Sequence, residues 1–242
     1  MTVGFIIAAG NQSRFNSNIP KALSLYNGKC ILDINLELMK SYCNECYIVC
    51  SKQNEKYFNY NNKIVIDSGL GCGDAVLKAL TEYESKYAYD DSVYCYIQWG
   101  DSIQTKSVYE SIKRNITIIQ IPYYIENNPY VHLVMDDCGY YIDNILFKKF
   151  NEINNIKNGC HDCSLFYGNL HYIKSLCEVY YNTYHTKDNN YKNIGHGNEF
   201  NFLDIFNIRI AVGKGRLVEK DIPIAFNTIE ELNKLGGYVK IE

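Results

Sequence analysis

The run Val3-Gly4-Phe5-Ile6-Ile7 opens into Ala8-Ala9-Gly10-Asn11-Gln12-Ser13-Arg14-Phe15, and Pro20-Lys21-Ala22-Leu23 follows a few residues later. The apolar run predicts a strand, and the strand ends in a glycine loop followed by two cations. Loop backbone N–H groups can point at phosphate oxygens, while Arg14 and Lys21 neutralise the remaining charge, so the arrangement suits a triphosphate. Gly10 has no Cβ, which lets backbone approach a ligand closely. Pro20 fixes the backbone ahead of Lys21 and so aims the lysine.

Strands and helices alternate through the first half, which predicts βαβ units and a mostly parallel sheet. Strands are expected at residues 3–7, 46–50, 63–67, 93–98 and 116–122. Helices are expected at 31–42, with Ile31, Ile34, Leu38 and Tyr42 at helical spacing, at 74–87, with Val76, Leu77, Leu80 and Tyr83 inward, and at 107–113. The second half differs. Segments 130–135 and 140–147 flank the polar turn Asp136-Asp137-Cys138-Gly139, a hairpin signal. A strand is expected at 163–167, a helix at 170–184, strands at 208–212 and 224–226, and a helix at 229–235, with 186–197 as loop. No linker composition or internal repeat interrupts the chain. The expectation is an α/β fold: one doubly wound, Rossmann-like domain over 1–242, with a mixed, mostly parallel sheet and a small antiparallel hairpin. Residues 1–125 would bind an NTP and 126–242 an acceptor.

At 242 residues with 47% hydrophobic content, the chain can bury a large core unaided. A net charge of −3 supplies no basic stripe, which argues against a nucleic-acid partner. The 23 tyrosines are read as coding bias rather than a stacking platform. No apolar run approaches the roughly 18 residues that cross a bilayer, and no signal peptide is visible, so neither a membrane partner nor export is expected. The ten cysteines then fit a reducing cytoplasm. Two C-x-x-C pairs, Cys43/Cys46 and Cys160/Cys163, lie more than a hundred residues apart, unlike the close spacing of zinc sites. No metal spacing relates His132, His161, His171, His185 and His196, and none receives a role.

The N-terminal pattern resembles the signature of the NTP-dependent nucleotidyltransferases, which make sugar nucleotides, CDP-alcohols and the molybdenum-cofactor dinucleotide. Their A-A-G-x-G-x-R, then P-K-x-L, is met by Ala8, Ala9, Gly10, Arg14, Pro20, Lys21 and Leu23; Gln12 stands where a glycine is usual. The resemblance implies a nucleotide-diphospho-sugar transferase-like fold, an NTP substrate held by Ala8, Ala9, Gly10, Asn11, Arg14 and Lys21, and catalytic roles for Arg14 and Lys21.

Ligands of open α/β sheets sit outside the carboxyl ends of the strands. Asp101, at the end of its strand, is therefore the leading ligand for Mg²⁺ or Mn²⁺, an ion that needs one or two carboxylates plus phosphate oxygens; it can also cap the following segment. The resemblance implies a second ligand in the tract Ile224-Ala225-Phe226-Asn227-Thr228-Ile229-Glu230, at Asn227, which is otherwise read as a helix N-cap. Gly69-x-Gly71-x-Gly73-Asp74 fails the dinucleotide fingerprint, because Asp74 occupies the third glycine position. It resembles instead the base-pocket tract of methylerythritol phosphate cytidylyltransferases, minus its arginine and serine, and that likeness modestly favours a pyrimidine over a purine nucleotide. Glu199 and Asp204 resemble the E-x-x-x-x-D segment near the acceptor in sugar-phosphate members, and Lys220 could reach an acceptor phosphate; solvated surface is the other reading of all three.

The expected activity is transfer of an NMP, CMP from CTP foremost, to a phosphorylated small molecule. The rivals are sugar-1-phosphate uridylyl- or thymidylyltransfer, a glycosyltransferase, for which Asp101-Ser102-Ile103 lacks the second aspartate of D-x-D, and a non-catalytic nucleotide sensor. The oligomeric state is not readable.

Overall fold

The computed structural model describes residues 1–10, 15, 17–58, 63–114, 119–137, 142–148, 152–153, 155–186, 191, 199–208 and 215–239. In chain order the elements are β1 (Thr2–Ile7), β2 (Leu25–Tyr26), β3 (Lys29–Cys30), α1 (Ile31–Lys40), β4 (Glu45–Ser51), β5 (Lys63–Asp67), α2 (Cys72–Lys86), β6 (Tyr94–Trp99), β7 (Ser102–Ile103), α3 (Lys106–Glu110), β8 (Ile121–Asn127), β9 (Val131–Met135), β10 (Ile142–Phe147), β11 (Asn158–Asp162), β12 (Leu165–Asn169), α4 (Leu170–Tyr184), β13 (Gly215–Leu217), β14 (Ile224–Ala225), α5 (Ile229–Lys234) and β15 (Gly237–Tyr238).

The central sheet runs β12-β6-β1-β4-β5. β1 pairs in parallel with β4 and β6, β4 in parallel with β5, and β12 joins the edge antiparallel to β6. From β1 the chain builds outward to β4 and β5, then crosses back to β6 on the other side of β1. The order therefore reverses at β1/β6, and the crevice at their carboxyl ends is where such sheets bind ligands.

Residues 3–7 are all buried, as expected for a strand covered on both faces. Val3, Phe5 and Ile7 pack with α2 and α4; Ile6 packs with α1 and α3 on the opposite face. Gly4 is needed here, since a Cβ would meet Met39 Sδ of α1 at 2.3 Å. α1 buries Leu32, Leu36 and Met39 with Ile31, while Ile34, Leu38 and Tyr42 are only partly covered, so the inward stripe is shifted from the expected one and Tyr42 lies beyond the helix. In α2, Val76, Leu80 and Tyr83 are buried as expected, joined by Ala75 and Ala79, and Leu77 is half-covered. α4 spans the expected residues; the Asn169 side chain caps it by accepting from Tyr172 N.

The hairpin expected in the second half is β9/β10, and it belongs to a larger sheet, β10-β9-β11-β8-β13. Two boundaries are corrected, and one strand was not expected. The strand expected at 116–122 is β8, displaced toward the C-terminus. The strand expected from Cys163 begins at Leu165, because Ser164 takes a left-handed φ of 57° that ends β11 and turns the chain into β12. β11 itself, Asn158-Gly159-Cys160-His161-Asp162, is too polar to have been read as a strand. The strand expected at 208–212 and most of the loop at 186–197 lie outside the described residues. Among the described residues no helix is long and apolar enough to cross a membrane.

Candidate active site

Three chain segments converge at the β1/β6 crevice. β1 delivers Ala8 and Ala9, both buried, and Gly10, which is exposed at the mouth. Ala8 N still donates to Val49 O at 2.7 Å, so the loop leaves the sheet only after Ala8. β6 ends in Trp99-Gly100-Asp101. Gly100 N donates to Ile7 O at 2.9 Å, and a Cβ there would press on the Ile7 carbonyl and Ala8 at 3.1–3.2 Å. The glycine therefore lets the two strand ends close on each other and puts Asp101 beside the carboxyl end of β1.

Lys21 starts a short 3-10 turn after Pro20, whose φ of −52° directs the chain inward. The side chain is buried, its Nζ stands 3.2 Å from Asp101 Oδ2, and it lies 4.5 Å from the centre of the Phe226 ring. Asp101 is more than half exposed and lines the cavity. Antiparallel pairing of Ala225 with Ser102 sets β14 against β7, and two residues on, Asn227 reaches the same cavity. The Asn227 backbone N–H is satisfied by Glu231, which leaves the amide side chain at the wall. The cavity holds about 320 Å³ and lies between the central sheet and the β9/β10 sheet.

A buried amide network fixes the turn that carries Asp101. Asn35 Nδ2 donates to Ser102 O at 2.7 Å, Asn35 Oδ1 accepts from Gln104 N at 3.0 Å, and Gln104 Nε2 donates to Cys163 O at 2.6 Å. Such buried amides hold geometry because leaving any of them unpaired is costly. Sequence reasoning missed Asn35 and Gln104: a polar residue on an apolar helix face was the only signal.

The other expected residues distribute as follows. Asn11 and Arg14, with Gln12, lie outside the described residues. Gly69 and Gly71 have φ of 82° and 112°, values that favour glycine. A Cβ on Gly71 would sit 2.5 Å from Phe200 O and one on Gly73 2.4 Å from the Phe200 ring. Gly73 N donates to Phe200 O and Phe200 N to Leu70 O, so this turn is strapped to the Phe200 segment. Asp74 is buried, accepting from Tyr191 OH at 2.7 Å and from Ser68; it faces a second groove between α2 and α4, away from the cavity. Glu199 lines the cavity. Asp204 does not: it is buried against Tyr180 OH at 3.3 Å. Lys220 is exposed and also away from the cavity wall.

Two further groups line the cavity, His161 and Asp162. Burial would lower the His161 pKa, but the Glu126 carboxylate at 2.5 Å and the neighbouring Asp162 outweigh it and hold the imidazole above its usual value. Burial pushes the Asp162 carboxyl up. Cys72, also in the wall, is pushed up to about 12 by burial and is no thiolate nucleophile. Among the described residues no three His, Cys, Asp or Glu side chains are grouped to hold a metal, which bears on both C-x-x-C pairs, and the described cysteines are free thiols.

The donors at the crevice suit a hard divalent ion: one carboxylate, Asp101, and one amide oxygen, Asn227, with the rest of the shell left for phosphate oxygens and water. Residues 4–97, which run from β1 to β6, match the family model of the MobA-like NTP transferase domain. No curated protein sequence matches the chain. Among solved structures, the inositol-1-phosphate CTP transferase from T. maritima superposes with a TM-score of 0.68 at 14% identity, covering 96% of this chain and 92% of the other. HddC from Yersinia pseudotuberculosis superposes with a TM-score of 0.65 at 18% identity, covering 97% and 98%. At such identities the likeness is one of fold, and it extends over the whole chain, including the half that the MobA-like match leaves out.

Proposed function

We propose that this protein is a nucleotidyltransferase that moves CMP from CTP onto a phosphorylated small-molecule acceptor and releases pyrophosphate. The observation that carries the reading is the Lys21–Asp101 pair at the β1/β6 crevice, with Lys21 inside the segment that matches the MobA-like domain and Asp101 just beyond its end. The preference for CTP is supported by the described activity of the T. maritima neighbour and by the Gly69–Asp74 tract. Length and tracts together resemble the CTP:phosphoglutamine cytidylyltransferase of bacterial capsule phosphoramidate synthesis, and on that resemblance the acceptor proposed is L-glutamine phosphate, used in the cytoplasm.

In this reaction an acceptor phosphate oxygen attacks the α-phosphorus in line. A new P–O bond forms as the bond to the bridging α–β oxygen breaks, and that oxygen takes the electron pair away on pyrophosphate. No general base is required, since a phosphomonoester with a second pKa near about 6 is largely dianionic at neutral pH. Lys21, with Arg14, stabilises charge on the triphosphate and the leaving group. Asp101 and Asn227 would hold Mg²⁺ or Mn²⁺, which supplies Lewis-acid neutralisation of the phosphates. Positioning and electrostatics then account for the catalysis.

The test is pyrophosphate release from CTP, UTP, dTTP, ATP and GTP across a panel of phosphorylated acceptors that includes L-glutamine phosphate and sugar 1-phosphates. CTP turnover with one acceptor is expected. Turnover with UTP or dTTP and a sugar 1-phosphate selects the uridylyl- or thymidylyltransferase instead, sugar transfer without pyrophosphate the glycosyltransferase, and tight NTP binding without turnover the sensor.

A further inference from the structure

Building on the nucleotidyl-transfer reading, we propose that His161 anchors the acceptor's phosphate: its Nε2–H binds the phosphate oxygens in the cavity that Lys21 also lines, while Glu126 holds the ring from behind. His161 of β11 lies opposite Tyr124 of β8 in antiparallel register, and Glu126 is two residues along β8 on the same face. Glu126 Oε2 is 2.5 Å and Tyr124 OH 3.1 Å from His161 Nδ1. A carboxylate only accepts, so Nδ1 carries a proton and is committed to Glu126. Nε2 is then the nitrogen left for a ligand, and the ring forms part of the cavity wall while remaining mostly covered.

Charge assigns the ligand. A transfer between two phosphates must accommodate two anions in this crevice, the triphosphate and the acceptor. Among the described residues lining the cavity, the cationic side chains are Lys21 and His161. Lys21 stands at Asp101, on the nucleotide side. His161, on β11 of the second sheet, is the other cation, and its environment favours the charged form: Glu126 from β8 and Asp162 beside it outweigh the cost of burial. An imidazolium held by a carboxylate donates a charge-assisted hydrogen bond, among the stronger kinds available to an anion. Asp162 and Glu199, in the same cavity, suit hydrogen-bond donors elsewhere on the acceptor. The substrate class that follows is a phosphomonoester whose other end carries ammonium, amide or hydroxyl groups. Glu126 never reaches the ligand and is a positioning residue.

The experiment uses the full chain with labelled histidine, saturated with Mg²⁺ and a non-hydrolysable CTP analogue, and titrated with inorganic phosphate and with phosphoethanolamine. The His161 ring resonances should move on titration and the ring pKa should rise. His161→Ala should weaken both probes at least about tenfold, the scale of one charge-assisted hydrogen bond, with affinity for the CTP analogue unchanged, which also reports that the variant is folded. His161→Gln serves the same comparison should the alanine variant not fold. Glu126→Gln should weaken phosphate more at pH 8 than at pH 6, because the ring loses its proton earlier. Unmoved His161 resonances, or full phosphate affinity in the His161 variants, overturn the proposal. Failure of the nucleotide reading shows separately, as absence of CTP-analogue binding sensitive to Lys21→Ala. In that event the His161 resonances in the nucleotide-free protein still decide.

Discussion

Lys21 and Asp101, eighty residues apart in sequence, meet at 3.2 Å, with the lysine buried and the carboxylate open to the cavity. On the proposed function, the covered lysine is fixed in place while the exposed carboxylate is available to a ligand; a pair left wholly in solvent would be worth little. Lys21→Ala and Asp101→Ala should each lower kcat at least about a hundredfold, the scale of a single preorganised electrostatic contact. Pyrophosphate release measured with saturating CTP and acceptor checks this, and near-normal turnover in both variants would remove the mechanism.

Asn35 acts on Asp101 through backbone. It grips both Ser102 O and Gln104 N from α1, so Asn35→Ala leaves two buried backbone groups without a partner. The expected cost is about 2–4 kcal/mol, from about 1–3 kcal/mol per unsatisfied buried group, read by denaturant unfolding. Because Asp101 sits one residue before Ser102, Mn²⁺ affinity in the presence of CTP should weaken as well. A loss of stability with metal affinity intact would separate the scaffold from the site.

The turn at Gly71 sets a strict steric limit. With φ at 112° and Phe200 O at 2.5 Å from an added Cβ, Gly71→Ala meets backbone strain and backbone contact together. A loss of about 2–4 kcal/mol is expected, from about 1–3 kcal/mol for the backbone conformation alone plus the clash. Gly10→Ala, with open space around the Cβ, should leave the free protein's stability within about 0.5 kcal/mol and show its effect in nucleotide affinity instead. Thermal unfolding of the two variants side by side distinguishes the two kinds of glycine.

How much of this was legible in the sequence follows from the physics of each element. β1, and the meeting of Lys21 with Asp101 at the carboxyl ends of β1 and β6, could be read because a buried strand followed by glycine, proline and a lysine is a local pattern. The α2 and α4 faces could be read because helical spacing is local too. β11 could not: its side chains are polar, two of them, His161 and Asp162, lining the cavity, so the usual apolar signal is absent. The same polarity hid His161 and Asp162 inside a C-x-x-C pair whose distance from the other pair did not match a zinc site. Asp204 and Asp74 went the other way. Both look like site carboxylates in a motif, yet buried tyrosine hydroxyls, of Tyr180 and Tyr191, claim them, and pairing across such distances cannot be seen along the chain.

His132 gives the fold a pH dependence of definite sign. Its Nδ1 accepts a hydrogen bond from Cys160 N at 3.1 Å, which requires that nitrogen to be unprotonated. Gly159 lies under the ring, where a Cβ would approach Nδ1 to 2.4 Å. Burial holds the imidazole below its usual value, the Cys160 contact only partly opposing it. A folded-state pKa below the unfolded value of about 6.5 means that the unfolded chain binds the proton more tightly. Stability from this group is therefore complete above about pH 6.5 and is lost as the pH falls from there through the depressed folded value. His161 has the opposite sign, because its raised value adds stability at low pH that is lost as the pH rises through that value. His132→Gln keeps an acceptor for Cys160 N and removes the titration. The difference in Tm between wild type and His132→Gln should shift in favour of the variant as the pH drops from about 7 to about 5. A difference that stays flat over that range would show that His132 is not held neutral by the strand pair it caps.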